Sequence, residues 1–281
     1  MIVDAHHHVW DLAVRDQDWI TDPPMGAIRR SFSLADLAAA APSVTSSVLV
    51  QTVPVAGETP EMLALAASDP LVGAVVGWTD LTSGAVGDAL AGLRAGPGGE
   101  WLRGIRHVVQ AEPDPEWLCR ADVRRGLAAV GRAGLVYDLL TAPHQLPAAT
   151  RTAAALPDVP FVLDHCSKPP IRSGDLGAWA ADVRALAACE NVTCKVSGLV
   201  TEADWREWAV ADLRPCFEVV LEAFGPERLM FGSDWPVCLL AASHAEVLSA
   251  ASALTESLSG SERAAIFAGT ASRVYGLGRS A

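Results

Sequence analysis

The chain has 281 residues, 51% of them hydrophobic and 19% charged, which is enough apolar material for one large core; α/β barrels of this size commonly form a single domain. A formal net charge of −12 argues against a nucleic-acid-binding surface, which needs a basic face, and no Lys/Arg cluster is present. No apolar run approaches the roughly 18 uninterrupted residues of a membrane span. The N-terminus lacks the basic and apolar regions of a secretion signal, and the six cysteines contain no CxxC pair. The expectation is a cytoplasmic protein with unpaired thiols and neither a membrane nor a nucleic-acid partner.

The first apolar run, IVDAHHHVW, reads as a strand. Alternation along a strand puts His6 and His8 on one face and His7 on the other. Two imidazoles spaced about 7 Å apart can converge on a metal or a substrate carbonyl. The next segment, 11–30, carries Trp19, Pro23 and Pro24 and is long for a strand-to-helix connection, so it reads as a lid or substrate wall. Seven more β-rich runs come after it: SSVLVQTV, VGAVVGWTDL, WLRGIRHVVQ, GLVYDLLT, PFVLDHCSKP, VTCKVSGL and RLMFGSDWPV. Amphipathic stretches such as SLADLAAAA, TPEMLALAA, VGDALAGLR, ADVRRGLAAVGRA, LGAWAADVRALAA and WAVADLRPCFEVVLEAF lie between them. Strand–helix alternation implies parallel strands with right-handed crossovers, and eight such units predict a (β/α)8 TIM barrel.

Active sites of such barrels sit at the C-terminal ends of the strands. The polar residues gather there: His6 and His8, Gln51, Trp78 and Asp80, then Arg106, His107 and Gln110. Tyr137 and Asp138, Asp164, His165 and Lys168, Lys195 and Ser197, and finally Ser233, Asp234 and Trp235 continue the series. Singly, these have ordinary uses. Asp138 or Asp164 can cap a turn, Lys195 can pair with a carboxylate, a tryptophan can pack in the core, and Asp4 can orient a histidine. Together, two same-face histidines on the first strand, His165 on the sixth and Asp234 on the eighth form a convergent constellation.

The motifs DAHHHVW, LVQTVP, VVGWTDL, GIRHVVQ, FVLDHCSKP, CKVSGL and RLMFGSDWPV resemble the amidohydrolase superfamily over nearly the whole chain. The likeness is greatest to its branch of metal-optional sugar-acid and dicarboxylate lactonases, which includes L-fuconolactonases, L-rhamnonolactonases and 2-pyrone-4,6-dicarboxylate lactonases. The resemblance implies catalytic roles for Asp234, His6, His8 and His165, which would also be the ligands of a single divalent ion. Strands four and five offer no lysine to bridge two metals, so a two-metal site is not expected. The cofactor expectation is either no obligatory group or one divalent metal ion, with zinc suited to three imidazoles and a carboxylate.

On this resemblance the expected reaction is opening of a lactone by water, with Asp234 as the general base. Trp10, Gln51, Trp78, Asp80, Arg106, His107, Lys168 and Trp235 are the expected substrate contacts. Most of that set suits a hydroxyl-rich ring, so a neutral aldonolactone is expected over a dicarboxylate. The alternatives are a 2-pyrone-4,6-dicarboxylate-type lactonase and a metal-dependent decarboxylase of an aromatic acid on the same barrel.

Overall fold

The computed structural model describes residues 1–278. Eight parallel strands run in chain order around one sheet: β1 Val3–His7, β2 Ser46–Val50, β3 Val72–Gly77, β4 Leu102–His107, β5 Val136–Leu139, β6 Phe161–Leu163, β7 Val192–Val196 and β8 Leu229–Phe231. The segment after β8 meets β1 again, with Asp234 N–H donating to the His6 carbonyl at 2.8 Å and His8 N–H to the Trp235 carbonyl at 2.7 Å. This is the (β/α)8 TIM barrel that the strand–helix alternation predicted.

The crossovers are carried by helices α1 Leu34–Ala40, α2 Glu58–Ser68, α3 Val86–Ala95, α4 Ala121–Arg132, α5 Leu146–Ala155, α6 Gly177–Ala187, α7 Leu199–Glu202 and α8 Val210–Phe224. After β8 come α9 His244–Leu254, α10 Gly260–Ala264, a π-helical turn over Ala265–Gly269 and α11 Thr270–Tyr275. No helix among the described residues is long and apolar enough to cross a membrane. All six cysteines are free.

Two apolar layers arise from strand alternation. Outward residues such as Leu49, Val75, Ile105, Phe161 and Phe231 pack with the helices in the larger cluster. Val3, Ala5, Val48, Val50, Val136, Val162 and Met230 form an inner cluster joined by Ala268, Ala271 and Tyr275 from the C-terminal helices. The β1 register shifts between Asp4 and His7. Ala5 therefore faces the inner cluster while its neighbour His6 also reaches the centre.

The segment 11–30 is closed at its base by an antiparallel bridge between Trp10 and Phe32. The Trp10 indole N–H donates to the Arg30 carbonyl at 2.7 Å, and the Trp10 ring packs edge-on against Trp19 and Phe32. This lashing brings Asp18 and Trp19 to the wall of a cavity of about 370 Å³ at the strand ends.

Candidate active site

The floor of that cavity is a carboxylate ringed by imidazoles. Asp234 Oδ1 lies 3.5 Å from His8 Nε2 and 3.8 Å from both His6 Nε2 and His165 Nε2, and the His6 and His8 Nε2 atoms are 3.2 Å apart. Local backbone features make the convergence possible. Gly232 leaves room for His6, since a Cβ there would meet the His6 Cβ at 2.8 Å. Asp4 ties β1 to the end of β8 by accepting from Ser233 N–H at 2.8 Å, from its hydroxyl at 2.6 Å and from His6 N–H at 3.2 Å. Asp4 Oδ2 also pairs with His244 Nε2 at 3.2 Å. Asp234 itself adopts a left-handed backbone with φ 57°.

After β6 the chain makes a left-handed turn through His165, Cys166, Ser167 and Lys168, with φ between 50° and 56°. Such conformations cost L-residues roughly 1–2 kcal/mol each, so the surroundings must hold them. The Trp179 indole donates to the Cys166 carbonyl at 2.8 Å, Ser167 and Thr141 share a hydroxyl bond of 2.8 Å, and His165 Nδ1 meets Ser197 Oγ at 2.9 Å.

A buried charge network lies beneath the imidazoles. Lys195 Nζ contacts Asp138 Oδ2 at 2.5 Å, Asp164 Oδ1 at 3.0 Å and His6 Nδ1 at 3.1 Å. Arg106 Nη1 reaches Asp164 Oδ2 at 3.1 Å and His6 Nε2 at 3.3 Å, and its Nη2 donates to the Gln51 carbonyl. The Tyr275 hydroxyl reaches both oxygens of Asp138 at 2.9 Å. The network balances two carboxylates, Asp138 and Asp164, with two cations, which is how ions survive burial.

These surroundings set the protonation states. Burial pushes His165 down to about 4. Burial, helped by the Lys195 ammonium, holds His6 well below its ordinary value despite Asp164. Both rings are therefore neutral at pH 7. Burial opposes charge on Asp234, but the facing imidazoles, His165 foremost, outweigh it and hold the carboxyl well below the usual range. Asp164 is likewise held down by Lys195, His6 and Arg106 against the effect of burial, whereas burial pushes Asp138 up.

Hydrogen-bond partners also orient the rings. His8 Nδ1 faces the Val50 carbonyl at 2.7 Å and must carry a proton there, which turns Nε2 to the site. His6 is held from both ring nitrogens: the donor Arg106 faces Nε2 at 3.3 Å, while the donor Lys195 at 3.1 Å and the acceptor Asp164 Oδ1 at 3.3 Å share Nδ1. A tetrahedral ion with bonds of about 2.0–2.1 Å has ligand–ligand edges of about 3.3–3.4 Å. The observed 3.2–3.8 Å separations fit one such ion. His6, His8 and Asp234 all present ligand atoms at metal-binding spacing.

The expected substrate contacts divide. Arg106, His107 and Lys168 line the cavity. Trp10 and Trp235 do not: both are buried and pack edge-on against Phe32. Gln51 is fully buried below the cavity and serves Arg106, mainly through its backbone carbonyl. Trp78 stands behind His107, donating its indole N–H to His107 Nδ1 at 3.0 Å. Asp80 is solvent-exposed and caps its own turn, accepting from the Thr82 hydroxyl at 2.6 Å and from its N–H at 2.9 Å. Conversely, Asp18, Trp19 and Glu112 line the cavity although the sequence does not single them out as contacts. Tyr275, beneath the floor, is another that sequence reasoning misses. Asp18 and Trp19 lie in the segment 11–30 expected to form a wall, whereas Glu112 and Tyr275 follow no strand end directly, so no local pattern marks those two.

Comparison with known proteins agrees with the geometry. An L-fucono-1,5-lactonase of Burkholderia multivorans is 42% identical, covering 98% of this chain and 96% of the relative. An L-fucono-1,5-lactonase of Burkholderia ambifaria is 38% identical over 85% of this chain and 81% of its own length. A crystal structure of a Burkholderia multivorans amidohydrolase with bound zinc superposes with a TM-score of 0.93 at 39% identity, covering 99% of both chains. The amidohydrolase family model matches residues 3–277, and the chain belongs to that family.

Proposed function

We propose that the protein is a lactonase, a hydrolase that opens a small sugar-acid lactone of the L-fucono-1,5-lactone type, with Asp234 as the general base. The observation that carries this reading is the Asp234 carboxylate facing three imidazoles at the floor of a cavity wide enough for one sugar ring. The lactonase relatives, which span nearly the whole chain, support the same reaction class.

A lactone is an ester whose leaving alkoxide stays tethered, so opening it needs an activated water, a polarised carbonyl and a proton for the ring oxygen. Asp234 Oδ1 takes the proton from the attacking water and returns it to the ring oxygen as the tetrahedral intermediate collapses. His8 is fixed with Nε2 toward this carboxylate, and His165 is held by Ser197, so the site is oriented before substrate arrives. Arg106 keeps a permanent positive charge at His6 and on the cavity wall, where it stabilises negative charge developing on the carbonyl oxygen. His6, His8, His165 and Asp234 would hold a divalent ion, zinc by the nature of the donors, and the ion would polarise the carbonyl and acidify water.

A pH-indicator assay over a panel of aldonolactones, run with and without chelator, tests the reading. Proton release is expected from hydroxylated 1,5-lactones, with a measurable part surviving chelation because Arg106 remains. Absence of proton release from every lactone, with or without added zinc, overturns it.

A further inference from the structure

His107 forms the middle of a relay that ends in the cavity. The Trp78 indole can only donate, and it donates to His107 Nδ1 at 3.0 Å. Nδ1 being the acceptor, the imidazole proton is placed on Nε2, which points to Glu112 Oε1 at 2.7 Å. The imidazole is also clamped face to face on Trp117, with ring centroids 4.5 Å apart and planes 11° from parallel. Glu112 is thus a carboxylate with one oxygen tied back and the other without a protein hydrogen bond among the described residues. Its side chain is 27% exposed, on the wall of the same cavity that holds Asp234.

An acceptor-only group held in place on a binding wall is suited to hydroxyl donors and repels carboxylates. The cations of the wall do not reverse that preference. Arg106 is paired with Asp164 at 3.1 Å and Lys168 with Glu202 at 3.1 Å, while Asp18 adds a further acid. We infer that Glu112 binds ring hydroxyls of the substrate, oriented by Trp78 and His107 as positioning residues, and that this relay selects hydroxylated lactones over anionic ones. The inference rests on the lactonase reading above.

The test compares Glu112→Gln and Trp78→Phe with the unaltered protein on a hydroxylated 1,5-aldonolactone and on δ-valerolactone, which has the same ring and no hydroxyls. δ-Valerolactone is scored as a substrate or, if it is not turned over, as a competitor. Gln keeps an acceptor for His107 but turns the free oxygen into a donor. Glu112→Gln should lower kcat/KM on the aldonolactone about 10- to 100-fold, mostly through KM, the size expected for losing hydrogen bonds to a charged group. The δ-valerolactone constants should stay unchanged. Trp78→Phe should shift the aldonolactone constants the same way by less. Equal losses on both lactones, or no loss on either, overturn the inference while leaving the lactonase reading intact. An unaltered protein inert on all lactones removes both.

Discussion

Asp234 is the residue on which the proposed chemistry turns. Its carboxylate is the only acid that both lines the cavity and faces three imidazoles among the described residues. Asp234→Asn keeps shape and hydrogen bonding but removes the proton acceptor, and kcat should fall by about 10²-fold or more. Steady-state kinetics on the best aldonolactone check this, and near-normal turnover would remove Asp234 as the base. His6, His8 and Asp234 are legible because a doubled histidine at a strand end and a carboxylate after the last strand have few structural uses in that combination. The tryptophans are not. Trp10 and Trp235 look like sugar platforms in the sequence, yet Phe32 stands between them and takes both edges into the core. Gln51 misleads differently, because its backbone carbonyl accepts from Arg106, and a carbonyl belongs to every residue type.

At the level of elements, the strand signals are long and the strands short. RLMFGSDWPV reads as one apolar run, but only Leu229–Phe231 is in the ladder, and Ser233–Trp235 lie in the turn beyond it. Strict alternation predicts the shared face of His6 and His8 but not the register shift that lets Ala5 and His6 both turn inward. The turn after β7 shows how tightly such connections are fitted. Gly198 has φ 66°, and a Cβ there would meet His165 Nδ1 at 2.8 Å. Gly198→Ala should therefore destabilise the protein by about 1–3 kcal/mol, from the left-handed backbone and the collision. It should also lower kcat by displacing His165. Urea unfolding and kinetics on one preparation check both, and unchanged stability would refute the close fit.

For the whole molecule, the barrel is legible because eight apolar runs alternate with amphipathic stretches, and closure lets each strand bury both faces. The role of the C-terminal helices is not. The segment through α11 joins the inner cluster and sends the Tyr275 hydroxyl to Asp138, one contact from Lys195 and two from His6. No short-range pattern announces a contact between residues so far apart in sequence. Tyr275→Phe should cost about 1–3 kcal/mol of stability by depriving a buried carboxylate of a donor. Since Tyr275 is absent from the cavity wall, kcat/KM should change little. A urea titration beside the kinetic assay separates the two, and a large kinetic loss at unchanged stability would contradict the division of labour.

The reversed winding over residues 165–168 constrains how this protein can be improved. Glycine is the residue that relaxes such a backbone, and a search for heat-resistant variants would be drawn to it there. At position 165 that exchange deletes an imidazole, and at position 168 it deletes the partner of Glu202. Durability and turnover thus compete for the same few positions, and selection for one should be seen to erode the other.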